Sequence, residues 1–189
     1  FWENFGAVLK EGIYEDQTNR EKILEVARFQ TTASDTQRSL SDIVADMKEG
    51  QDAIYYITGE NLEMVRQSPQ LEGFRSRGVE VLLMTDPVDE FWLPAVGSFE
   101  DKPFKSVTRG GADLDNIKEE DADKDTKDKK KKDKKQAPGI DELIASLKIS
   151  LGDAVKDVAV SERLTDSPVC LVSGEGDMDI QLERMLKQH

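Results

Sequence analysis

A chain of 189 residues with 37% hydrophobic side chains can fill one large or two small cores. Its net charge of −13 speaks against a general nucleic-acid binder, which needs a basic surface. The single Cys170 excludes an internal disulfide and fits a reducing compartment, no apolar run approaches the ~20 residues of a membrane span, and no secretory signal pattern is visible. The chain opens on Phe1-Trp2 and stops at His189 inside a helical pattern, so it reads as a piece of something longer.

Trp2, Phe5, Val8 and Leu9 form one apolar stripe at helical spacing, with Gly12 as a stop. Thr18-Asn-Arg-Glu21 has capping-box spacing before the apolar Ile23, Leu24 and Ala27. The polar stretch Thr31–Gln37 reads as a loop. Ser39 then caps a helix carrying Leu40, Ile43, Val44 and Met47. At Ala53-Ile-Tyr-Tyr-Ile57 the period changes to a strand buried on both faces. Asn61 to Gly78 is a helical crossover, with Leu62, Val65, Leu71 and Phe74 inward and a new turn starting at Ser68-Pro69. Val79–Met84 is a second, parallel strand. Asp89–Val96 is a short helix ended by Pro94, and Phe104–Thr108 is a short edge strand. Strand, crossover, strand defines an α/β unit, here a small three-layer α/β/α subdomain.

Asp113 to Lys135 holds nine acids and nine lysines with almost no apolar side chain. Such a segment cannot offset its ordering entropy by burial, and its acids neutralise the lysine cluster Lys129–Lys135 as a nucleic-acid patch. We therefore divide the chain into residues 1–109, a charged flexible linker at 110–138, and a second unit at 139–189. In that unit Ile140, Leu143, Ile144, Leu147 and Leu151 make an amphipathic helix. Val155–Val160 and Pro168–Val172 read as strands, with Cys170 a small buried hydrophobe in the second. A last helix spans Asp177–Gln188. This is the start of an α+β unit.

Catalytic groups are scarce. The only histidine is His189, which leaves histidine catalysis and Ser or Cys triads without a base. Zinc lacks ligands, and no G-x-x-x-x-G-K-[ST] or G-x-G-x-x-G phosphate cradle occurs. Glu60, Asp86, Asp89 and Glu90 follow the two strands, where α/β sheets bind ligands. They can be read as an Mg²⁺-dependent phosphoryl-transfer or receiver-like site, or as helix caps. Two apolar features remain. Three bulky residues in a row, Phe91-Trp-Leu93, cannot all face a core, so one is free for a partner unless Trp92 packs on the sheet edge. Met178, Leu182, Met185 and Leu186 share a helix face that is either core or an adaptable binding surface.

Ordered motifs across nearly the whole chain outside the linker resemble one family. They are Phe1-Trp-Glu-Asn-Phe-Gly6, Ser39-Leu-Ser-Asp42, Ile54-Tyr-Tyr-Ile-Thr-Gly59, Thr85-Asp-Pro-Val-Asp-Glu90, Arg163-Leu-Thr-Asp-Ser-Pro168 and Leu182-Glu-Arg-Met185. The family is the Hsp90 molecular chaperones, in their bacterial form. The resemblance implies the end of a middle domain, a linker and the start of a C-terminal domain. It implies a cytoplasmic, stress-responsive, ATP-driven homodimer that binds unfolded clients. ATP and Mg²⁺ then belong to a domain before Phe1, as does the arginine that reaches the γ-phosphate, and the dimer helices lie after His189. No catalytic, cofactor or metal residue falls within this chain on that reading, and no nucleic acid or membrane is a partner. The partners implied are clients and other domains of the same chaperone. A client-binding role is carried over to Phe91, Trp92, Met178, Leu182, Met185 and Leu186. The stretch Gly174–Ile180 departs from the family's glycine-serine pattern in being more acidic.

Overall fold

The computed structural model describes residues 1–109, 114, 117, 139–161, 163–174 and 176–187. Its centre is a five-stranded sheet in the order β1-β3-β2-β5-β4. β2 (Ile54–Thr58) runs parallel to both β3 (Val81–Met84) and β5 (Lys102–Ser106). Antiparallel strands close both sides, β1 (Gln30–Thr31) on β3 and β4 (Ser98–Phe99) on β5.

Strand alternation sorts the core into two halves. Tyr55, Ile57, Val81 and Leu83 face Val65, Leu71 and Phe74 of the crossover. That crossover comprises α4 (Leu62–Arg66), a 3-10 turn at Pro69–Leu71 and α5 (Glu72–Arg75). Ile54, Leu82 and Met84 face the opposite layer, whose core includes Ile13, Leu24, Phe29, Leu40, Ile43 and Trp92. Its helices are α1 (Trp2–Glu15), α2 (Arg20–Val26), α3 (Leu40–Ala45) and α6 (Asp89–Val96). The three-layer α/β/α class is thus the observed one, with mixed rather than purely parallel strands.

Local chemistry explains where elements start. The Ser39 hydroxyl accepts from Asp42 N at 3.1 Å and caps α3, as its position in the sequence implies. Asn61 and Ser68 cap α4 and the 3-10 turn in the same way. Several expectations are corrected. Gly12 does not end α1, which continues to Glu15. A Cβ there would lie 3.0 Å from Ile23 Cδ1, so the glycine serves close packing of α1 on α2. The capping box at Thr18 does not form. Asp16 instead accepts from the Thr18 and Asn19 amides, both at 3.1 Å, and makes the turn itself. Pro94 sits inside α6, which ends at Gly97 with φ +74°. β5 is not an edge, because Glu100 and Asp101, at φ +46° and +61°, turn β4 onto it. The stretch read as a loop from Thr31 begins inside β1.

Beyond residue 109 the picture also changes. Leu114 and Ile117 are buried in the crossover-side core, so the apolar residues of the linker's first part are packed. The rest of the linker reading lies outside the described residues. α7 (Ile140–Leu151) and α8 (Ile180–Lys187) form, though neither has a fully buried residue. Val155–Val160 and Pro168–Val172 are not strands, since no neighbouring strand pairs with them among the described residues. Cys170 is only half-buried.

The segment is fastened to the sheet by polar contacts. Glu72 accepts from the backbone N–H groups of Thr165, Asp166 and Ser167 at 2.7 to 3.1 Å. Arg163 donates to the carbonyls of Val107 and Arg109 at 3.1 and 3.0 Å. Ser173 N donates to Thr108 O at 2.9 Å. A Cβ on Gly73 would lie 2.8 Å from Arg163 O, so the missing side chain permits this approach. The hydrogen bonds from Ser167, then from Asp166 and Thr165, hold the Glu72 carboxyl down at about 2. A depressed carboxylate stabilises above its ordinary pKa of 4.5 and loses that contribution as pH falls toward 2. Glu72→Ala should therefore speed amide exchange at Asp166 and Ser167 about tenfold at neutral pH while leaving Ile57 unchanged. Unaltered exchange at Asp166 and Ser167 would show that the carboxylate does not hold the segment.

Candidate functional site

The carboxyl end of β2 opens into two adjoining clefts of about 200 and 220 Å³, the second also bordered by the end of β3. Thr58, Gly59 and Glu60 border both. α8 lies across the mouth and places Gln181 and Arg184 on the first cleft and Gln181 and Met185 on the second.

The strand-end acids are not a metal centre. Lys10 Nζ of α1 lies 2.8 Å from Asp86 and 3.1 Å from Asp89, so an ammonium occupies the place of the imagined cation. Asp89 is fully buried and also accepts from Trp92 Nε1 at 2.7 Å and from Asp86 N at 3.2 Å. Burial still pushes its carboxyl above the usual range, with Lys10 and Trp92 opposing that rise. Among the described residues no three metal-capable side chains cluster. Glu60 is exposed. The Mg²⁺-dependent reading thereby loses its ligand set.

Trp92 is a second correction. It is 0% exposed, its ring packs 5.6 Å from Phe104 and 5.9 Å from Phe29, and its N–H is satisfied by Asp89. An indole with every edge occupied has no face left for a partner. Phe91, one step round the helix, is 50% exposed and stands 6.3 Å from the half-exposed Tyr14 ring. Met178 and Leu186 are 51% and 59% exposed, and Leu182 and Met185 are half-buried. Met185 and Glu90 border one cleft, so α8 and the start of α6 meet there.

Sequence reasoning missed Asp179. Its buried carboxylate accepts from Ser106 Oγ at 2.5 Å, Thr108 Oγ1 at 2.7 Å and Thr58 Oγ1 at 3.3 Å, tying α8 to β5 and β2. The sequence pattern puts Asp179 inside a helix from Asp177, whereas α8 starts only at Ile180, and an acid near a helix start names no long-range partner. Glu90 lies nearby. Burial lifts its carboxyl to about 7, Thr58 pulls it back, and Asp179 and Asp89 push it further up. Burial, with Asp179 adding to it, likewise lifts the Tyr56 hydroxyl to about 12.

The Hsp90 protein family model matches residues 1–189. Curated relatives include the chaperone protein HtpG of Roseobacter denitrificans, 56% identical over all of this chain, and that of Rhodospirillum rubrum, 53% identical over the same extent. The chain spans about 30% of the length of each. A solved middle domain of a Plasmodium falciparum heat shock protein superposes with a TM-score of 0.54 at 34% identity, over 58% of this chain and 47% of that one. An α/β/α unit without a phosphate cradle, matched along its length by relatives named as chaperones, defines the class. The chain belongs to the Hsp90 family, and its similarity is to the bacterial HtpG branch.

Two outcomes follow from the buried charges. Lys10→Met should cost about 3–5 kcal/mol by leaving Asp89 uncompensated, and adding Asp89→Asn should restore most of it in urea unfolding. Equal stability of parent and Lys10→Met would refute the pairing. Folded protein holds the Glu90 proton more tightly than the unfolded chain does, so stability should fall as pH rises from about 4.5 to about 7. Glu90→Gln should remove that fall, about 2 kcal/mol after solvent screening, and identical pH profiles of the two proteins would contradict the assignment.

Proposed function

We propose that this chain is the client-handling and motion-relaying segment of an ATP-driven homodimeric chaperone of the bacterial cytoplasm. The reading rests chiefly on one observation. Phe91 of α6 is exposed, the apolar residues in and just before α8 are incompletely covered, and α8 meets α6 where Met185 and Glu90 border one cleft. Non-native clients expose apolar side chains, and covering them here gains roughly 25 cal/mol per Å² removed from water. The half-buried Leu182 and Met185 and the exposed Phe91, Met178 and Leu186 form the contact surface. Trp92 supports it from beneath.

Nucleotide chemistry does not fit these residues. The sequence lacks a phosphate cradle, and the strand-end acids Asp86 and Asp89 are committed to Lys10. On this reading ATP, Mg²⁺ and the dimer seam belong to parts of a longer protein that this chain does not span. No helix among the described residues is long and apolar enough to cross a membrane. The contribution of this segment is mechanical. Contacts from Glu72, Arg163 and Asp179 couple the sheet to α8, so a rigid-body movement imposed on one displaces the other and alters client affinity.

The test is client capture by the full-length chaperone. Phe91→Ser with Leu186→Ser should weaken binding of a labelled unfolded protein about tenfold in fluorescence anisotropy without changing ATP turnover in its absence. Trp92→Ala should instead lower stability by about 3–5 kcal/mol. Undiminished affinity in the Phe91/Leu186 variant would overturn the proposed surface.

A further inference from the structure

The cleft between the ends of β2 and β3 has a chemistry that an apolar client surface does not require. Three carboxylates, Glu60, Asp86 and Glu90, line its 220 Å³, and none of the described residues lining it is a lysine or arginine. The Lys10 ammonium is shared by Asp86 and Asp89, two acids to one cation. Glu90 is 8% exposed, and its buried Oε1 has no hydrogen-bond partner. Leaving a buried carboxylate oxygen unsatisfied is costly unless something supplies a donor. Burial holds the Glu90 proton on to about 7, with Thr58 and Arg109 opposing the rise and Asp179 and Asp89 adding to it.

The surroundings define the donor. The acids share a cleft, yet no three metal-capable side chains among the described residues gather closely enough to hold one ion. A small hard cation is therefore a poor occupant. Met84, Pro87 and Met185 provide apolar walls. Acidic groups beside apolar walls match a lysine or arginine, which buries its aliphatic stem and presents a multi-donor head. Phe91, next in the chain to Glu90, offers an exposed ring outside the cleft.

We propose that this cleft receives a lysine or arginine side chain of the bound polypeptide, with an apolar neighbour of that residue resting on Phe91. The chaperone segment thus favours client stretches in which apolar and basic residues adjoin. This selectivity rests on the client-handling function above and adds a charge preference to it. The chain's net charge of −13 strengthens the attraction at long range, and the cleft converts it into a seated contact.

Fluorescein-labelled peptides with one apolar core, flanked by lysines or by glutamates, test this on the 189-residue chain by anisotropy. The lysine peptide should bind about tenfold more tightly, and the preference should fall to about threefold in Glu60→Gln/Glu90→Gln. Glu11→Gln/Glu15→Gln removes two exposed charges of α1 that do not line the cleft and should leave the preference within about twofold of the parent. Phe91→Ala should weaken both peptides and keep their ratio. Equal binding of the two peptides by the parent overturns the proposal while the client surface stands, and so does an equal loss of preference in the α1 control. Binding of neither peptide overturns the client surface and this inference together.

Discussion

One ammonium group holds the carboxyl edge of the sheet in shape. Lys10 reaches from α1 beneath the turn after β3, bridges Asp86 and Asp89, and lies 5.2 Å from the centre of the Phe29 ring. Asp89 passes the constraint on to Trp92 by a hydrogen bond, and the Trp92 ring fills the space between Phe29 and Phe104. This chain of contacts sets the rotation of α6. With the indole turned inward between the buried Glu90 and Leu93, Phe91, about 100° round the helix from it, falls on the exposed side. A buried Asp89 sharing one cation with the partly exposed Asp86 is poor value as pure stabilisation. Its use here is positional, because it determines which of two adjacent aromatics meets solvent.

Much of the fold was legible because period and burial agree. Ile54–Thr58 and Val81–Met84 are apolar on both faces, as a central parallel strand must be, and the crossover residues Val65, Leu71 and Phe74 follow helical spacing. Ser39 at the head of α3 was equally plain. Most of the misses share a cause, which is that their partners lie far away in the chain; the β4–β5 hairpin is local and was missed for want of a turn signal. β1 has two residues and exists only because β3 offers a free edge. The β4–β5 hairpin turns on Glu100-Asp101, which carries none of the Asn-Gly signal that such turns favour. Val155–Val160 has strand composition, but without a neighbour composition yields no ladder. At the site, the strand-end acids were visible while their occupant, Lys10, sits 76 residues before Asp86. The orientation of Trp92 was undecidable for the same reason, since Phe29 and Phe104 flank it only in three dimensions.

Membership of the Hsp90 family accounts for the motif order across the chain, and the structure adds how this segment is wired. Glu72 and Arg163 fasten the segment before α8 by backbone hydrogen bonds, and Asp179 seats the start of α8 on three hydroxyls. These contacts set the placement of the segment and of α8 on the sheet.

The orientation of α6 is the claim from which the rest descends, and the indole of Trp92 reports it directly. Trp2→Phe leaves Trp92 as the sole tryptophan of the chain. Its fluorescence should be blue-shifted and almost untouched by acrylamide, and should stay so when an unfolded client is added. Emission near that of free tryptophan with strong quenching would place the indole in solvent and contradict the account.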